Sequence, residues 1–325
     1  MAEPAAAEDR GVRPAPMRVL LLGGRGRLGG AIAARLAPPP AGVQVAPRAS
    51  AGAQVELLAP ARHELALEPH APDDAAARWF AQWRPDVVVN CIALGDVDQC
   101  ETEPALAMQL NAALPAALAR ACERKGTRLI HFSTDFVFDG ALRRPYREDD
   151  APRPLSAYGE SKLAGERAIA RTACPHWIFR VSWLYGAPVR NLAADLLDPA
   201  NAARIFRLAT DRFGVPNPVQ LLAAEVASCI ARGRASGDSP PASGTFHLSC
   251  HGATTWHAFA LAFVREAIGA GRLAGERAPR IEAIEEASLG RPARRPAWSA
   301  LDPSRYERTF GRTMPGWEEA IALAL

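Results

Sequence analysis

The sequence predicts an α/β protein, a Rossmann-type doubly wound parallel sheet with a smaller C-terminal lobe that binds substrate. Three observations carry this. Short apolar runs alternate with helix-length segments through the first half of the chain. The first run, Val19-Leu20-Leu21-Leu22, leads into Gly23-Gly24-Arg25-Gly26-Arg27-Leu28-Gly29 and then a helix. Farther on, Tyr158 and Lys162 stand four residues apart, which places them on one face of a helix.

The elements follow in order. Met17 to Leu22 is continuously apolar, as a strand buried on both faces must be. Gly29 to Leu36 reads as a helix that ends before Pro38-Pro39-Pro40. Val55 to Leu58 reads as the second strand, with Val43 to Val45 as its rival. Asp73 to Trp83 is helical, with Asp73 or Asp74 near its start. Val87 to Ile92 is a buried strand. Pro104 to Lys125 is a helix stopped by Gly126. Leu129 to Ser133 is a strand, Ser156 to Arg171 a helix and Trp177 to Val181 a strand. Past about Ala187 the alternation loosens. Helices at Val219 to Arg232 and Thr255 to Ile268 mix there with loops and a short strand at Gly244 to Leu248, after a Pro/Ser/Gly linker at Ser236 to Ser243.

These elements divide the chain of 325 residues into three parts. Residues 1–16 are an Ala/Pro-rich leader without the apolar core of an export signal. Residues 17–186 form the dinucleotide-binding domain, and 187–325 mainly the substrate lobe, with some segments returning to the sheet. Lys and Arg number 38 against 35 Asp and Glu, a net charge of +3 that weighs against a nucleic-acid partner. The six cysteines stand at 91, 100, 122, 174, 229 and 250, none in a Cys-x-x-Cys pair. They read as reduced, mostly buried thiols of a cytoplasmic protein. No stretch is apolar and long enough to cross a bilayer.

The glycine turn can hold a pyrophosphate. Glycine permits positive φ and close backbone approach, and the helix beyond offers free N–H groups to negative charge. Gly23, Gly26 and Gly29 are spaced differently from the G-x-G-x-x-G fingerprint, so the strand-turn-helix context carries the reading. An acidic residue after the second strand would suit NAD, whereas arginine suits a 2′-phosphate. Arg62 follows the favoured second strand and Arg48 its rival, so NADPH is favoured and NADH is the alternative. Tyr158 can protonate a carbonyl oxygen while hydride reaches the carbon. Lys162 would supply the cation that a phenol needs for such work, and would bond the nicotinamide ribose. Ser133-Thr134 closes a strand at the carboxyl edge, where open α/β sheets keep their sites. Asp135, Asp139, Asp149 and Asp150 read on their own as loop and cap residues. His247, His251 and His257 lack a carboxylate or Cys set for a metal. For Trp183, just past a strand end, stacking on a ligand and core packing weigh equally.

Several segments resemble the dTDP-4-dehydrorhamnose reductase family of extended short-chain dehydrogenase/reductases. They are Phe132-Ser133-Thr134-Asp135-Phe136-Val137-Phe138-Asp139-Gly140, Tyr158-Gly159-Glu160-Ser161-Lys162, Arg180-Val181-Ser182-Trp183-Leu184-Tyr185-Gly186 and Asp211-Arg212-Phe213-Gly214-Val215-Pro216. Arg295-Pro296, Ser299 and Pro315-Gly316-Trp317 match late in the chain. The resemblance implies reduction of a nucleotide-linked 4-keto sugar, dTDP-4-dehydro-L-rhamnose, with NADPH or NADH. It implies a triad of Thr134, Tyr158 and Lys162, with Asp135 and Trp183 on the sugar nucleotide. Gly26, Arg27 and Leu28 would lie along the pyrophosphate, and Ala93, Leu94 and Gly95 near the nicotinamide half. A homodimer and bound magnesium are features of some members, and no ligand set for the metal is legible here. The chain departs from the pattern at Cys91 to Gly95, Ala66, Leu192, Asn217 and Trp298. Two rival readings therefore stand: a non-catalytic NADP-binding subunit like that of methionine adenosyltransferase, and a reductase or epimerase of another nucleotide sugar.

Overall fold

The computed structural model describes residues 15–37, 55–65, 71–232 and 240–325. Nearly all of the leader, the rival strand at Val43 to Val45, Arg48, Ala66 and the start of the linker lie outside the described residues.

Six strands form one parallel sheet in the order β10-β5-β4-β3-β1-β2. They are β1 (Met17–Leu22), β2 (Val55–Leu58), β3 (Val87–Asn90), β4 (Arg128–Thr134), β5 (His176–Val181) and β10 (Gly244–His247). The apolar run of β1 serves both faces. Val19 and Leu21 join one core with α1 (Arg27–Leu36) and α9 (Val219–Arg232), while Leu20 and Leu22 join another with α3 (Pro72–Trp83) and α6 (Leu114–Lys125). Burial on both faces explains why these strands do not alternate in polarity. From β1 the chain steps out to β2, then returns across β1 to β3. That reversal opens a crevice at the carboxyl ends of β1 and β3, where such sheets bind ligands.

The helices match the expected ones closely, with four differences. First, α1 begins at Arg27 rather than Gly29. Second, α3 starts with Pro72 at its first position, so neither Asp73 nor Asp74 caps it. Third, five short helices stand where the sequence shows no helical pattern: α2 (Arg62–Leu65), α4 (Val97–Thr102), α8 (Leu192–Leu197), α11 (Ser304–Phe310) and α12 (Trp317–Ala320). Too short for a periodic signal, α4 depends on Asp96, whose carboxylate accepts from the Asp98 and Gln99 N–H groups. Fourth, the run from Pro104 to Lys125 is broken into α5 (Pro104–Met108), a π-turn at Gln109–Ala113 and α6. The cause is Pro115, which lacks the N–H that would bond the Asn111 carbonyl four residues back. Gly126, at φ +65°, then ends α6 as expected.

Among the residues described beyond β5, only β10 rejoins the sheet, and the other strands form short pairs. Strand β6 (Leu184–Tyr185) pairs β9 (Asn217–Pro218), β7 (Ile205–Ala209) pairs β12 (Arg280–Ile284), and β8 (Phe213–Gly214) pairs β11 (Thr254–Thr255). A third core gathers Phe206 with Phe259 and Phe263 from α10 (Trp256–Gly269). Among the described residues, no helix is long and apolar enough to cross a membrane.

Candidate active site

A cavity of about 470 Å³ runs along the carboxyl edge of the sheet. Its floor at one end is the glycine turn. Gly23 holds φ +78°, and a Cβ there would lie 2.9 Å from the Cys91 backbone, so the β1 and β3 loops touch. A Cβ on Gly29 would lie 2.2 Å from the Gly23 carbonyl oxygen, so only glycine lets α1 begin so near the turn. The N-terminus of α1 has no side-chain cap and no acidic residue in its first turn. Arg27 lines the cavity, and its Nε is buried without a hydrogen-bond partner among the described residues. Free backbone donors, a helix dipole and an unmatched guanidinium nitrogen fit an anion.

Tyr158 and Lys162 come from α7 (Ala157–Ala170), whose start is fixed by the Ser156 side chain accepting from the Gly159 N–H. Gly159 is required because a Cβ would meet the Phe136 carbonyl oxygen at 2.2 Å. The phenol of Tyr158 faces the cavity that Thr134 also lines, and burial pushes it up to about 12. The ammonium of Lys162 donates to the Phe132 carbonyl at 2.5 Å, and burial holds it down to about 8. In this structure the ammonium is therefore engaged with β4 rather than with the phenol.

The cavity brings together Gly26, Arg27, Leu28, Gly29, Ala93, Gly95, Thr134, Asp135, Tyr158, Lys162 and Trp183. Three expected residues stand elsewhere. Gly23 shapes the turn from beneath rather than lining the cavity. Leu94 is held by Asn111, which accepts from its N–H at 2.9 Å and donates to its C=O at 3.1 Å. Arg62 lies exposed on α2, beyond the carboxyl end of β2.

Asp135 lines the cavity but is largely enclosed by the protein. It is 3% exposed, and its carboxylate accepts from the hydroxyls of Thr134 (3.1 Å), Ser182 (3.0 Å) and Ser299 (2.5 Å). Trp183 adopts φ +35° and stacks on Trp256, ring centroids 4.1 Å apart and planes within 8°. Both indoles line the cavity and a neighbouring one of about 370 Å³. The second cavity carries Arg207, Arg212, Arg291 and Arg295 against a single acid, Glu286. The Nε of Arg212 is buried without a partner among the described residues.

Sequence reasoning missed Asn111, Trp256 and this arginine set. Pro115 inside a helical run was the available signal for Asn111. The arginines lie on segments whose approach depends on the loosely patterned C-terminal half. Among the described residues, no three His, Cys, Asp or Glu side chains are grouped to hold a metal. His247 is buried, with Nδ1 3.0 Å from the Tyr146 carbonyl oxygen.

A parallel sheet with a cradle at its switch point and a Thr-Tyr-Lys cluster beside it defines an extended short-chain dehydrogenase/reductase. Residues 17–325 match the family model described as RmlD substrate binding domain. The chain is 36% identical over 273 residues to the dTDP-4-dehydrorhamnose reductase of Shigella flexneri, covering 81% of this chain and 89% of that one. The crystal structure of such a reductase from Clostridium acetobutylicum superposes with a TM-score of 0.78 at 28% identity, covering 95% and 98% of the two chains. One from Bacillus anthracis, in complex with NADP, gives 0.78 at 25% identity, covering 95% and 99%. This chain belongs to the dTDP-4-dehydrorhamnose reductase family.

Proposed function

We propose that the chain reduces the C4 keto group of dTDP-4-dehydro-L-rhamnose to dTDP-L-rhamnose with NADPH, making a precursor of cell-surface polysaccharide. One observation carries the reading: Thr134, Tyr158 and Lys162 converge on the cavity that the uncapped glycine turn also lines.

The residues fit a dinucleotide. The N–H groups at the start of α1 and the Arg27 guanidinium would hold its pyrophosphate, and Lys162 its nicotinamide ribose. Arg62, beyond β2, is the group that favours a 2′-phosphate, hence NADPH over NADH. Once bound, the cofactor supplies hydride. The protein's own residues do the rest. A phenol held near 12 keeps its proton at neutral pH and can donate it to the keto oxygen. The arginine-lined cavity suits a nucleoside diphosphate. Trp183 and Trp256 stand where the sugar would pass between the two cavities. A cytoplasmic setting goes with this reading, as do six free cysteines.

A thermal-shift screen of dTDP-, UDP- and GDP-sugars in the presence of NADPH tests the nucleotide. The dTDP-sugar should raise the melting temperature most. A larger rise with a UDP- or GDP-sugar would reassign the substrate. NADPH binding without turnover of any 4-keto sugar nucleotide would favour the non-catalytic subunit.

A further inference from the structure

Tyr158 is the second residue of α7, so the first turn of that helix decides where its phenol lies. Two side chains hold the turn. Ser156 accepts from the Gly159 N–H at 3.3 Å, and the Glu101 carboxylate accepts from the Ala157 N–H at 2.8 Å. Ser156 belongs to the same segment, whereas Glu101 comes from α4, 56 residues earlier. The Ala157 N–H is one of the donors that a helix start leaves free, and the dipole there favours a negative charge. Glu101 thus grips the residue beside Tyr158 from a separate element.

The same short helix holds the substrate lobe. Asp98 stands three residues before Glu101, so the two are neighbours on the surface of α4. Its carboxylate accepts from the Ala293 N–H at 3.1 Å and from Arg295 Nη1 and Nη2 at 3.2 and 2.8 Å. Ala293 and Arg295 belong to a strap, residues 286–299, that brings Glu286, Arg291, Arg295 and Ser299 into the arginine cavity. The Arg295 side chain is 13% exposed and also faces Glu286, Nε to oxygen 3.6 Å. Its charge is matched by protein carboxylates, which makes it a tie between the strap and α4. Val97, at the start of α4, lines both cavities.

We propose that Glu101 and Asp98 are positioning residues: Glu101 sets the Tyr158 phenol against the keto oxygen, and Asp98 ties that setting to the strap over the arginine cavity. This rests on the reductase reading. Neither carboxylate lines either cavity, so both reach the reaction through other groups. A nucleoside diphosphate held by the strap bears on Asp98, hence on α4 and on the first turn of α7. Placement of the proton donor matters because a shift of about 1 Å can cost roughly 100-fold in rate.

The test pairs NADPH oxidation, with the dTDP-4-keto sugar as substrate, with 13C NMR of full-length protein labelled at tyrosine Cζ. Tyr158→Phe assigns the Tyr158 signal. Glu101→Ala should lower kcat at least ~10-fold and leave the sugar-nucleotide KM and the NADPH Kd within about twofold. It should also move or broaden the Tyr158 signal in ligand-free protein. Glu101→Gln keeps an oxygen for the Ala157 N–H and should recover most of the lost kcat. Asp98→Ala should raise KM and lower kcat, each about 5-fold, and the double variant should lose less kcat than the two single losses multiplied. A wild-type kcat in Glu101→Ala overturns the proposal, as does a loss that Glu101→Gln fails to restore. Losses that simply multiply in the double variant overturn the tie to the strap. If Glu101→Ala does not fold, Glu101→Asp, whose shorter side chain withdraws from Ala157, carries the same expectations. A wild type that oxidises no NADPH sinks the reductase reading. The Tyr158 signal still decides the role of Glu101 in that case, since an unmoved signal in Glu101→Ala overturns it.

Discussion

Lys162 presses its ammonium against the Phe132 carbonyl, Nζ to O 2.5 Å, at 3% exposure. Burial lowers the amine to about 8, and Glu166 pulls it partly back. The unfolded chain binds that proton up to about pH 10. The folded value is the lower one, so the charged amine costs stability at neutral pH, and the cost fades as pH rises through about 8. Lys162→Met should therefore raise Tm at neutral pH by a few degrees and gain less in alkaline buffer. Its turnover should collapse. Thermal denaturation at two pH values, with an activity assay, checks both.

Gly29→Ala places a methyl group 2.2 Å from the Gly23 carbonyl oxygen, against backbone that cannot yield cheaply. Dinucleotide affinity should drop at least ~10-fold and stability by about 1–3 kcal/mol. Gly269→Ala, at the far end of α10 and outside the cavity, is the control, since nothing lies within 4 Å of its added Cβ. Titration of both variants with NADPH should separate them clearly.

The stacked indoles of Trp183 and Trp256 should give a coupled signal in circular dichroism. Trp256→Ala should erase that signal and release Trp183 from its φ of +35°. We expect NADPH affinity to hold and KM for the sugar nucleotide to rise about 10-fold, the loss of roughly one aromatic contact. An unchanged KM would remove both rings from the substrate path.

Behind the site, Arg180 and Glu166 form a bidentate pair, 2.9 and 2.7 Å, with side chains 5% and 6% exposed. Arg180 also lies over the Phe138 ring. Glu166→Gln leaves a buried guanidinium unmatched, so unfolding in urea should show a loss of about 3–5 kcal/mol. Replacing both partners by apolar residues should cost less than that single change.

Much of the fold was legible because its strands are buried on both faces. Runs such as Val87-Val88-Val89 tell a strand from a helix by length and β-branching alone. Val55–Leu58 and Val219–Arg232 fall where the pattern put them. The paired strands Ile205–Ala209 and Arg280–Ile284 were not legible, since partners 75 residues apart leave no local signal. The same division runs through the site. Tyr158 and Lys162 share one helix, so their spacing carried them. Asn111 reaches Leu94, and Ser299 reaches Asp135, only through tertiary approach. Asp135 sits in a readable motif, but two of the hydroxyls on its carboxylate, Ser182 and Ser299, come from other segments.

The most direct measurement is NADPH oxidation by purified protein given dTDP-4-dehydro-L-rhamnose, wild type beside Tyr158→Phe. The wild type should consume one NADPH for each keto sugar, and the variant should lose at least ~100-fold in kcat because the proton donor is gone. A wild-type kcat in Tyr158→Phe, or no oxidation by either protein, would contradict it.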